Sequence, residues 1–381
     1  CLEFLRYFLW RLSMKKKVVI ITIYDPNPNM GNRLQNYAVQ KIFENLNYDV
    51  VTISFKEKIK MNNIWKLKLL INKLTNYRFA KHRVYWRKIQ KRYDELDKFN
   101  ERYIKTFNVI NLSDIPDVDF YVLGSDQLWN PKWWDEANPK MEQSIYLASF
   151  APKDKVLCVS PSFGCDDIPE SWKPWFKKYL NRIPEICVRE EAGRKIIKVL
   201  TGKDSIVTID PTLMLSAKDW NEIIEQPEGI GKNEKYILAY FLGGTSEQAE
   251  RDLNAYSKEF NIKVYRIFDE RCETLYSINP SNFVYLIKNA SLIMTDSFHA
   301  CVFSFIYDRP FLLYDRVGTP GMMSRMDTLF DKFDLKRKYV NSGLTNEVLE
   351  HDYSNGYCNL KEEKNILRNF IIRQTKNIDD I

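Results

Sequence analysis

Four polar residues, Thr295, Asp296, Ser297 and His299, lie between two apolar runs, in a pattern that predicts a strand, a loop and then a helix. In an open α/β sheet, ligands bind at the carboxyl ends of the strands, so chemistry is expected at such a loop. A histidine that opens a helix after a buried strand can serve as a general acid near neutral pH. The competing interpretation is that the other three residues cap the helix and His299 packs behind them. This stretch alone leaves both interpretations open.

Two more polar loops follow apolar runs that predict strands. Ser125 and Asp126 lie in the first loop, where the carboxylate can bind or deprotonate a hydroxyl of a ligand. Trp129 follows closely and either stacks on a ligand or lies in the core. The alternative for this loop is a capped turn. In the second loop, Ser162 and Gly164 are small residues that allow a phosphate to approach the backbone.

Arg189 ends a short apolar run and is the best candidate for binding an anion. Its planar guanidinium can hold a phosphate or a carboxylate through two parallel hydrogen bonds. Its place at the carboxyl end of a predicted strand favours a ligand role. The alternative is a structural salt bridge with Glu190 or Glu191.

Gly31, Asn32 and Arg33 open the first predicted helix, directly after the first predicted strand and a loop. The free N–H groups of a helix start attract anions, and glycine permits close approach. The segment is not a GxGxxG fingerprint, and no acidic residue follows the second strand to bind a ribose. A dinucleotide cofactor is therefore disfavoured, and the alternative for this loop is a plain turn and cap.

Apolar runs that predict strands alternate with helical patterns throughout, which favours an α/β fold with parallel sheets. The predicted strands include residues 17–24, 48–55, 119–124, 155–160, 186–189, 206–210, 236–241 and 263–267.

A chain of 381 residues is too long for one core and suits two domains. We expect an N-terminal Rossmann-like domain at 14–182 with a basic helical insertion at 56–107. A C-terminal Rossmann-like domain is expected at 183–350 and a final helix within 351–381. Residues 1–13 are expected to be an extension outside the native fold.

The net charge of +7 is concentrated between Lys56 and Lys105, where 16 Lys and Arg face 5 Asp and Glu. A solvated helical face is the first interpretation. A surface that rests on anionic lipid is the second, because basic residues flank Trp and Leu. Nucleic-acid binding is not expected, because no reader module accompanies the charge.

Cysteine usage and hydropathy restrict the class of protein. The seven cysteines are scattered without a CxxC pair, so neither a metal site nor a disulfide framework is predicted. Such usage is typical of a reducing cytoplasm. No apolar run approaches the roughly 20 residues that a membrane-spanning helix needs.

Taken in order, the polar loops resemble the motifs of the polysaccharide pyruvyl transferase family. The matching segments are residues 24–38, 124–130, 160–164, 188–190, 210–213 and 295–299. The resemblance implies transfer of a pyruvyl group from phosphoenolpyruvate to a pair of sugar hydroxyls, forming a ketal. It also implies two Rossmann-like domains that face a cleft, similar to GT-B glycosyltransferases, with the final helix packing back on the first domain.

The resemblance also implies roles for individual residues. His299 protonates the enol carbon or steadies the departing phosphate, Asp126 acts on the acceptor hydroxyl, and Arg189 neutralises the donor. The N–H groups and side chains of the other loops contact substrate, and no cofactor is needed beyond phosphoenolpyruvate as donor. Residue 210 is given a structural role, as the start of a turn.

The chain departs from the family at one position. Some members carry arginine two residues before the histidine, where this chain has Ser297. We include Ser297 among the substrate-binding candidates and expect a cation from downstream. Arg309, Arg316 and Arg325 are the possibilities, and Arg325 is favoured.

Two other functions stay open from the sequence. One is a GT-B glycosyltransferase that uses a nucleotide sugar, and the other is a non-catalytic carbohydrate-binding relative. If the chain is a pyruvyl transferase, the expected acceptor is a lipid-linked or polysaccharide precursor. The expected location is then the cytoplasm, with possible peripheral contact at the inner face of the membrane.

Overall fold

Strands and helices alternate along the chain, and the computed structural model describes residues 15–23, 29–54, 78–133, 141–318, 324–335 and 346–376. The strands are β1 Lys17–Ile21, β2 Asp49–Ser54, β3 Thr106–Asn108, β4 Phe120–Leu123, β5 Val156–Cys158, β6 Cys187–Val188, β7 Ile206–Val207, β8 Tyr236–Tyr240, β9 Lys263–Arg266, β10 Leu292–Thr295 and β11 Phe311–Leu313. The helices are α1 Met30–Asn45, α2 Arg78–Tyr103, α3 Met141–Tyr146, α4 Lys173–Leu180, α5 Glu191–Thr201, α6 Ala217–Trp220, α7 Glu247–Phe260, α8 Glu273–Tyr276, α9 Pro280–Asn289, α10 Phe298–Ile306, α11 Ser324–Phe333 and α12 Ser354–Lys376.

The first sheet has five parallel strands in the order β3-β2-β1-β4-β5. Its central strand β1 is apolar at every position after Lys17, as expected for a strand that is covered on both faces. Val18 and Ile20 pack into one hydrophobic cluster, whereas Val19 and Ile21 pack into another. This alternation follows the pleat of a strand and shows that helices cover both faces.

A short pair of strands, β6 and β7, lies against the edge of the first sheet. Ser160 donates its backbone N–H to the Cys187 sulfur at 3.2 Å, and Arg189 donates its backbone N–H to Pro161 O at 3.1 Å. Cys187 and Val207 share a hydrophobic cluster with the first sheet. The predicted domain boundary near residue 182 stays a prediction, and this packing argues for a boundary later in the chain.

The second sheet has four parallel strands in the order β11-β10-β8-β9. Tyr240 at the end of β8 pairs in register with Thr295 at the end of β10. The carboxyl ends of these strands therefore lie side by side, and the loop that carries His299 starts at that edge.

The two sheets are joined through α1 and its neighbours. One hydrophobic cluster contains residues from both sheets, and the rings of Tyr37 on α1 and Trp220 on α6 lie 5.6 Å apart. Most side chains of α1 are buried, on all sides of the helix. A helix buried all round is a core helix, so α1 forms part of the contact between the two halves.

The basic helix α2 contacts the second half of the chain. Arg92 packs its guanidinium 3.5 Å from the centre of the Phe268 ring, and Arg102 pairs with Glu225. Part of this basic face is therefore an internal contact and not a solvated surface. The alternative interpretation, in which basic residues such as Lys66 rest on anionic lipid, concerns a segment outside the described residues.

The final helix α12 packs against both hydrophobic clusters. Leu367 and Ile371 belong to one cluster and Phe370 to the other, and Arg373 pairs with Glu185. None of the helices in the described ranges is long and apolar enough to cross a bilayer.

Candidate active site

The loops at the carboxyl ends of both sheets meet in one buried polar cluster. Each of its six side chains belongs to a residue no more than 5 % exposed. We call this group the charged cluster; its members are Asn32, Asp126, Arg189, Asp210, His299 and Arg325. Five of these six residues are site candidates from the sequence, and they come from α1, from loops of the first half and from α10 and α11.

Arg189 lies at the centre of the charged cluster. Its Nη1 donates to Asp210 Oδ2 at 2.6 Å and its Nη2 donates to Asp126 Oδ1 at 3.3 Å. Burial alone would lower the pKa of Arg189, but Asp210 and Asp126 outweigh it and hold that pKa above its ordinary value. No hydrogen bond or ion pair of the guanidinium with Glu190 or Glu191 is found in the described part of the chain. The guanidinium is thus charged, buried and fixed in direction.

Asp210 was expected to have a structural role only, and the structure gives it two contacts with the candidate catalytic groups. As expected, it caps a turn, because Oδ1 accepts from Thr212 N at 3.0 Å. Its Oδ2 also lies 3.7 Å from His299 Nε2, beyond hydrogen-bond length, and accepts from Arg189. Burial would raise the pKa of Asp210, but His299 and Arg189 outweigh it and hold that pKa well below its ordinary value. The sequence signal that could have indicated these contacts is the position of Asp210 at the end of an apolar run.

His299 lies in the first turn of α10, and Ser297 caps that helix by accepting from Ala300 N at 3.4 Å. The start of α1 packs directly on the imidazole. A Cβ built on Gly31 would lie 2.0 Å from His299 Nδ1, so only glycine fits at that position. Both interpretations of the loop therefore hold in part, since Ser297 is a cap and His299 faces the cluster.

Asp126 links the first helix to the two arginines. Asn32 Nδ2 donates to Asp126 Oδ2, and Arg189 donates to Oδ1. Asp126 has φ +62°, in the left-handed region, which costs a non-glycine residue free energy and occurs often at functional sites. Because both of its carboxylate oxygens accept hydrogen bonds, Asp126 orients the Arg189 guanidinium. Its action on an acceptor hydroxyl stays a prediction. Arg33, next to Asn32, is 2 % exposed.

Ser125 contributes its hydroxyl to the same loop. Its Oγ donates to Ser160 O at 2.8 Å and lies 3.3 Å from Asp210 Oδ2. These contacts tie the loop after β4 to the loop after β5. Trp129 is fully buried and donates Nε1 to Tyr146 O at 2.9 Å. It is a core residue in this structure, so it offers no face for stacking on a sugar.

The loop of Ser162 and Gly164 holds a carboxylate of the protein itself. Glu190 Oε1 accepts from Phe163 N at 2.8 Å and from Gly164 N at 3.1 Å. A phosphate at these N–H groups would have to displace Glu190. Binding of substrate by this loop stays a prediction, and the Ser162 hydroxyl is its one buried polar side-chain atom without a hydrogen-bond partner among the described residues.

Among the three downstream arginines considered for the missing cation, Arg325 on α11 reaches the charged cluster. Its Nη1 lies 3.9 Å from Asp126 Oδ1, and both its terminal nitrogens lie 3.1 Å from the Gln127 oxygen when that amide faces them. Burial, with the nearby positive charge of Arg189, lowers the pKa of Arg325 to about 10. Arg316 instead pairs with Asp296, at 3.4 Å.

Several donors of the charged cluster have no hydrogen-bond partner among the residues that the structure describes. These buried atoms are Nε of Arg189, Nε of Arg325 and Nε2 of His299. Buried polar atoms are almost always hydrogen-bonded in proteins, so a group of orphans at one place suggests a ligand. Two guanidinium groups suit a phosphate or carboxylate. No group of three or more residues that could hold a metal ion is found within the described ranges.

Comparison with solved structures finds proteins of similar fold. A UDP-N-acetylglucosamine 2-epimerase from Rickettsia bellii is 11% identical, covers 97% of this chain and 98% of its own, and has a TM-score of 0.51. The epimerase from Neisseria meningitidis bound to UDP-GlcNAc is 11% identical over 94% of this chain and 99% of its own, with a TM-score of 0.43. At such identity the likeness shows the fold alone, and the chain has the predicted α/β fold of GT-B type.

Comparison with curated protein sequences gives no match. Residues 29–316 match the family model described as polysaccharide pyruvyl transferase. That range contains His299, Arg189, Asp126 and Asp210, and it ends before Arg325. With most of its length matched and its motif residues assembled in one cluster, the chain belongs to the polysaccharide pyruvyl transferase family.

Proposed function

We propose that the chain transfers a pyruvyl group from phosphoenolpyruvate to two hydroxyls of a sugar in a polysaccharide or lipid-linked precursor, forming a ketal. The observation that carries this proposal is the pair of buried arginines, Arg189 and Arg325, in the same cluster as His299. Each of the three has a side-chain nitrogen without a hydrogen-bond partner among the described residues. Phosphoenolpyruvate bears a phosphate and a carboxylate on neighbouring atoms, which two guanidinium groups match.

A bound anion would relieve the repulsion between the positive charges of Arg189 and Arg325. Arg325 keeps its charge at neutral pH although burial and Arg189 lower its pKa to about 10. Asp126 pairs with both arginines, so its single negative charge does not balance their two positive charges. Since each side chain is at most 5 % exposed, donor entry requires the two halves to separate at the cluster.

The proposed reaction begins with transfer of a proton from His299. That proton adds to the methylene carbon of phosphoenolpyruvate, and the neighbouring carbon becomes electron-poor. A sugar hydroxyl forms a bond to that carbon and returns its proton to the neutral imidazole. The carbon–oxygen bond to phosphate then breaks, and the phosphate takes the bonding electrons. The second hydroxyl closes the ketal, and its proton leaves with the phosphate. The arginines balance the charge that develops on the phosphate.

Thermal unfolding with and without phosphoenolpyruvate tests donor binding, because a ligand that binds only the native state raises Tm. We expect phosphoenolpyruvate to raise the Tm of the wild type. The variants Arg189→Ala and Arg325→Lys should lose most of this increase. Arg194→Ala is the matched control, since Arg194 is exposed and pairs with Glu191 on the surface of α5.

Each alternative function predicts a different result in the same measurement. A glycosyltransferase would be stabilised by a uridine nucleotide and not by phosphoenolpyruvate. A carbohydrate-binding relative would respond to sugars alone. Equal phosphoenolpyruvate shifts in wild type and both arginine variants would overturn the assignment of the donor site.

A further inference from the structure

A cavity of about 440 Å³ opens at the carboxyl ends of β8 and β9, one strand away from the end of β10. It is separate from the charged cluster and lies within the range of roughly 300–1,000 Å³ that is usual for small-molecule sites. Ala239 and Arg266, which pair in register at the ends of the two strands, both line it. Its position at the ligand-binding edge of the sheet indicates a second subsite.

The charges of the cavity do not suit an anion. Arg266 donates to both carboxylate oxygens of Glu250, at 2.8 and 2.7 Å, and Arg271 is paired with Asp269 at 2.8 Å. Glu270 adds a third carboxylate to the lining. Both guanidinium groups of the lining are already paired with carboxylates, so neither is a free cation for the phosphates of a nucleotide.

Phe268 gives the cavity an apolar wall that is held in place. Its φ is +69°, in the left-handed region, which is rare for a bulky side chain. Arg92 covers its ring at 3.5 Å, and the Tyr240 ring meets it edge-on at 5.6 Å. Strain that packing maintains is typical of binding sites, so this aromatic wall is organised before any ligand arrives.

The loop after β8, which lines the cavity, is hydrogen-bonded to the loop of His299. Leu242 and Gly243 donate their backbone N–H groups to the Asp296 carboxylate at 2.7 and 2.9 Å. The next residues of the same loop, Gly244 and Thr245, line the cavity. A ligand in the cavity would thus lie one strand away from the loop that carries His299, the histidine that the proposed function requires.

We propose that this cavity holds the neutral saccharide of the acceptor, an inference that rests on the proposed function. Carboxylate and guanidinium edges at the wall bond to ring hydroxyls, and Phe268 packs on the apolar face of a pyranose. The anionic donor and the neutral acceptor would then occupy adjacent sites of opposite character.

Saturation-transfer NMR with methyl glycosides of glucose, galactose, mannose, N-acetylglucosamine and N-acetylmannosamine tests the subsite. We expect at least one glycoside to receive saturation from wild type. Thr245→Trp should abolish that transfer by filling the cavity, and Glu270→Trp fills it from the exposed rim if the first variant does not fold. Val199→Trp, on the exposed face of α5, is the matched control and should behave as wild type.

The phosphoenolpyruvate shift in Tm separates this inference from the proposed function. A normal shift in the cavity variants, with loss of saturation transfer, supports both. Saturation transfer that persists in a folded cavity variant overturns the subsite alone. So does displacement of the glycoside by UDP, which would assign the cavity to a nucleotide, or absence of transfer from all five glycosides to wild type. Absence of any phosphoenolpyruvate shift in wild type would overturn the donor assignment instead.

Discussion

At the scale of single residues, His299 is the group for which position and chemistry coincide. It lies in the same buried cluster as two arginines, and its Nε2 is 3.7 Å from Asp210, whose pKa is held below its ordinary value. No hydrogen-bond partner of this Nε2 is found in the described part of the chain. His299→Gln keeps most of the volume but has no proton to give at neutral pH. We expect turnover to fall by about 10²–10⁴-fold, the usual contribution of a general acid. Phosphate release from phosphoenolpyruvate with a sugar acceptor measures it.

His351→Gln is the control for that variant. His351 lies 3.2 Å from Asp308, away from the charged cluster. The variant should therefore turn over substrate as the wild type does. Normal activity in His299→Gln would remove this histidine from the mechanism, whatever the result with His351.

Asp210 makes the stability of the protein depend on pH. Its folded pKa lies below its ordinary value of 3.8, so its carboxylate stabilises the fold above about pH 4 and this contribution is lost as the pH falls further. Asp210→Asn leaves Arg189 without its closest partner and should cost about 3–5 kcal/mol at neutral pH. Urea unfolding should show a constant gap between wild type and variant near pH 6 that shrinks as the pH falls below about 4.

Asp117→Asn provides the comparison for the pH experiment. Its side chain is 87% exposed and pairs with Lys155 on the surface. Such pairs contribute about 0–1 kcal/mol, so this variant should follow wild type at every pH. A pH-independent gap for Asp210→Asn would contradict the ionised state assigned to this residue.

At the scale of elements, helix α2 connects the first half to the cavity of the second, because Arg92 packs over Phe268 and Lys88 donates to the backbone oxygen of Glu270. Arg92 is partly buried over Phe268, and burial lowers its pKa. Arg92→Ala should cost about 1–2 kcal/mol through lost cation–π contact and packing. Lys98→Ala on the same helix, in an exposed pair with Glu95, should cost much less. If chemical unfolding shows the same loss of unfolding free energy for Arg92→Ala and Lys98→Ala, α2 is a solvated helix.

At the scale of the whole molecule, α12 holds two hydrophobic clusters together. Phe370 is 2% exposed and packs into the cluster that includes β1 and β6, while its neighbours pack into the other cluster. Phe370→Ala should cost about 3–5 kcal/mol, the usual loss for a buried aromatic side chain. Ile366→Ala, at a position 43% exposed on the same helix, should cost much less.

Urea unfolding measures both variants of α12. If Phe370→Ala is no worse than Ile366→Ala, the helix does not join the two cores. A single cooperative transition in wild type that separates into two in Phe370→Ala would show that α12 couples the halves.

Much of the fold could be predicted from the sequence because buried parallel strands leave a local signature. The apolar runs at 17–24 and 236–241 correspond to β1 and β8, shortened at their ends. The exception is β3, Thr106–Asn108, whose three residues carry no strand pattern and pair only with β2. Its identity as a strand depends on a partner distant in sequence.

That His299, Arg189 and Asp126 come together was also predictable, since each follows shortly after a strand, and ligands bind at the carboxyl ends of strands in such sheets. The partners of each group were decided only by tertiary structure. Asp210 meets His299, and Glu190 occupies the amides after Ser162, because loops from separate strands become neighbours. Sequence periodicity specifies which face of an element is buried, whereas hydrogen-bond partners depend on distances between elements that only the folded chain sets.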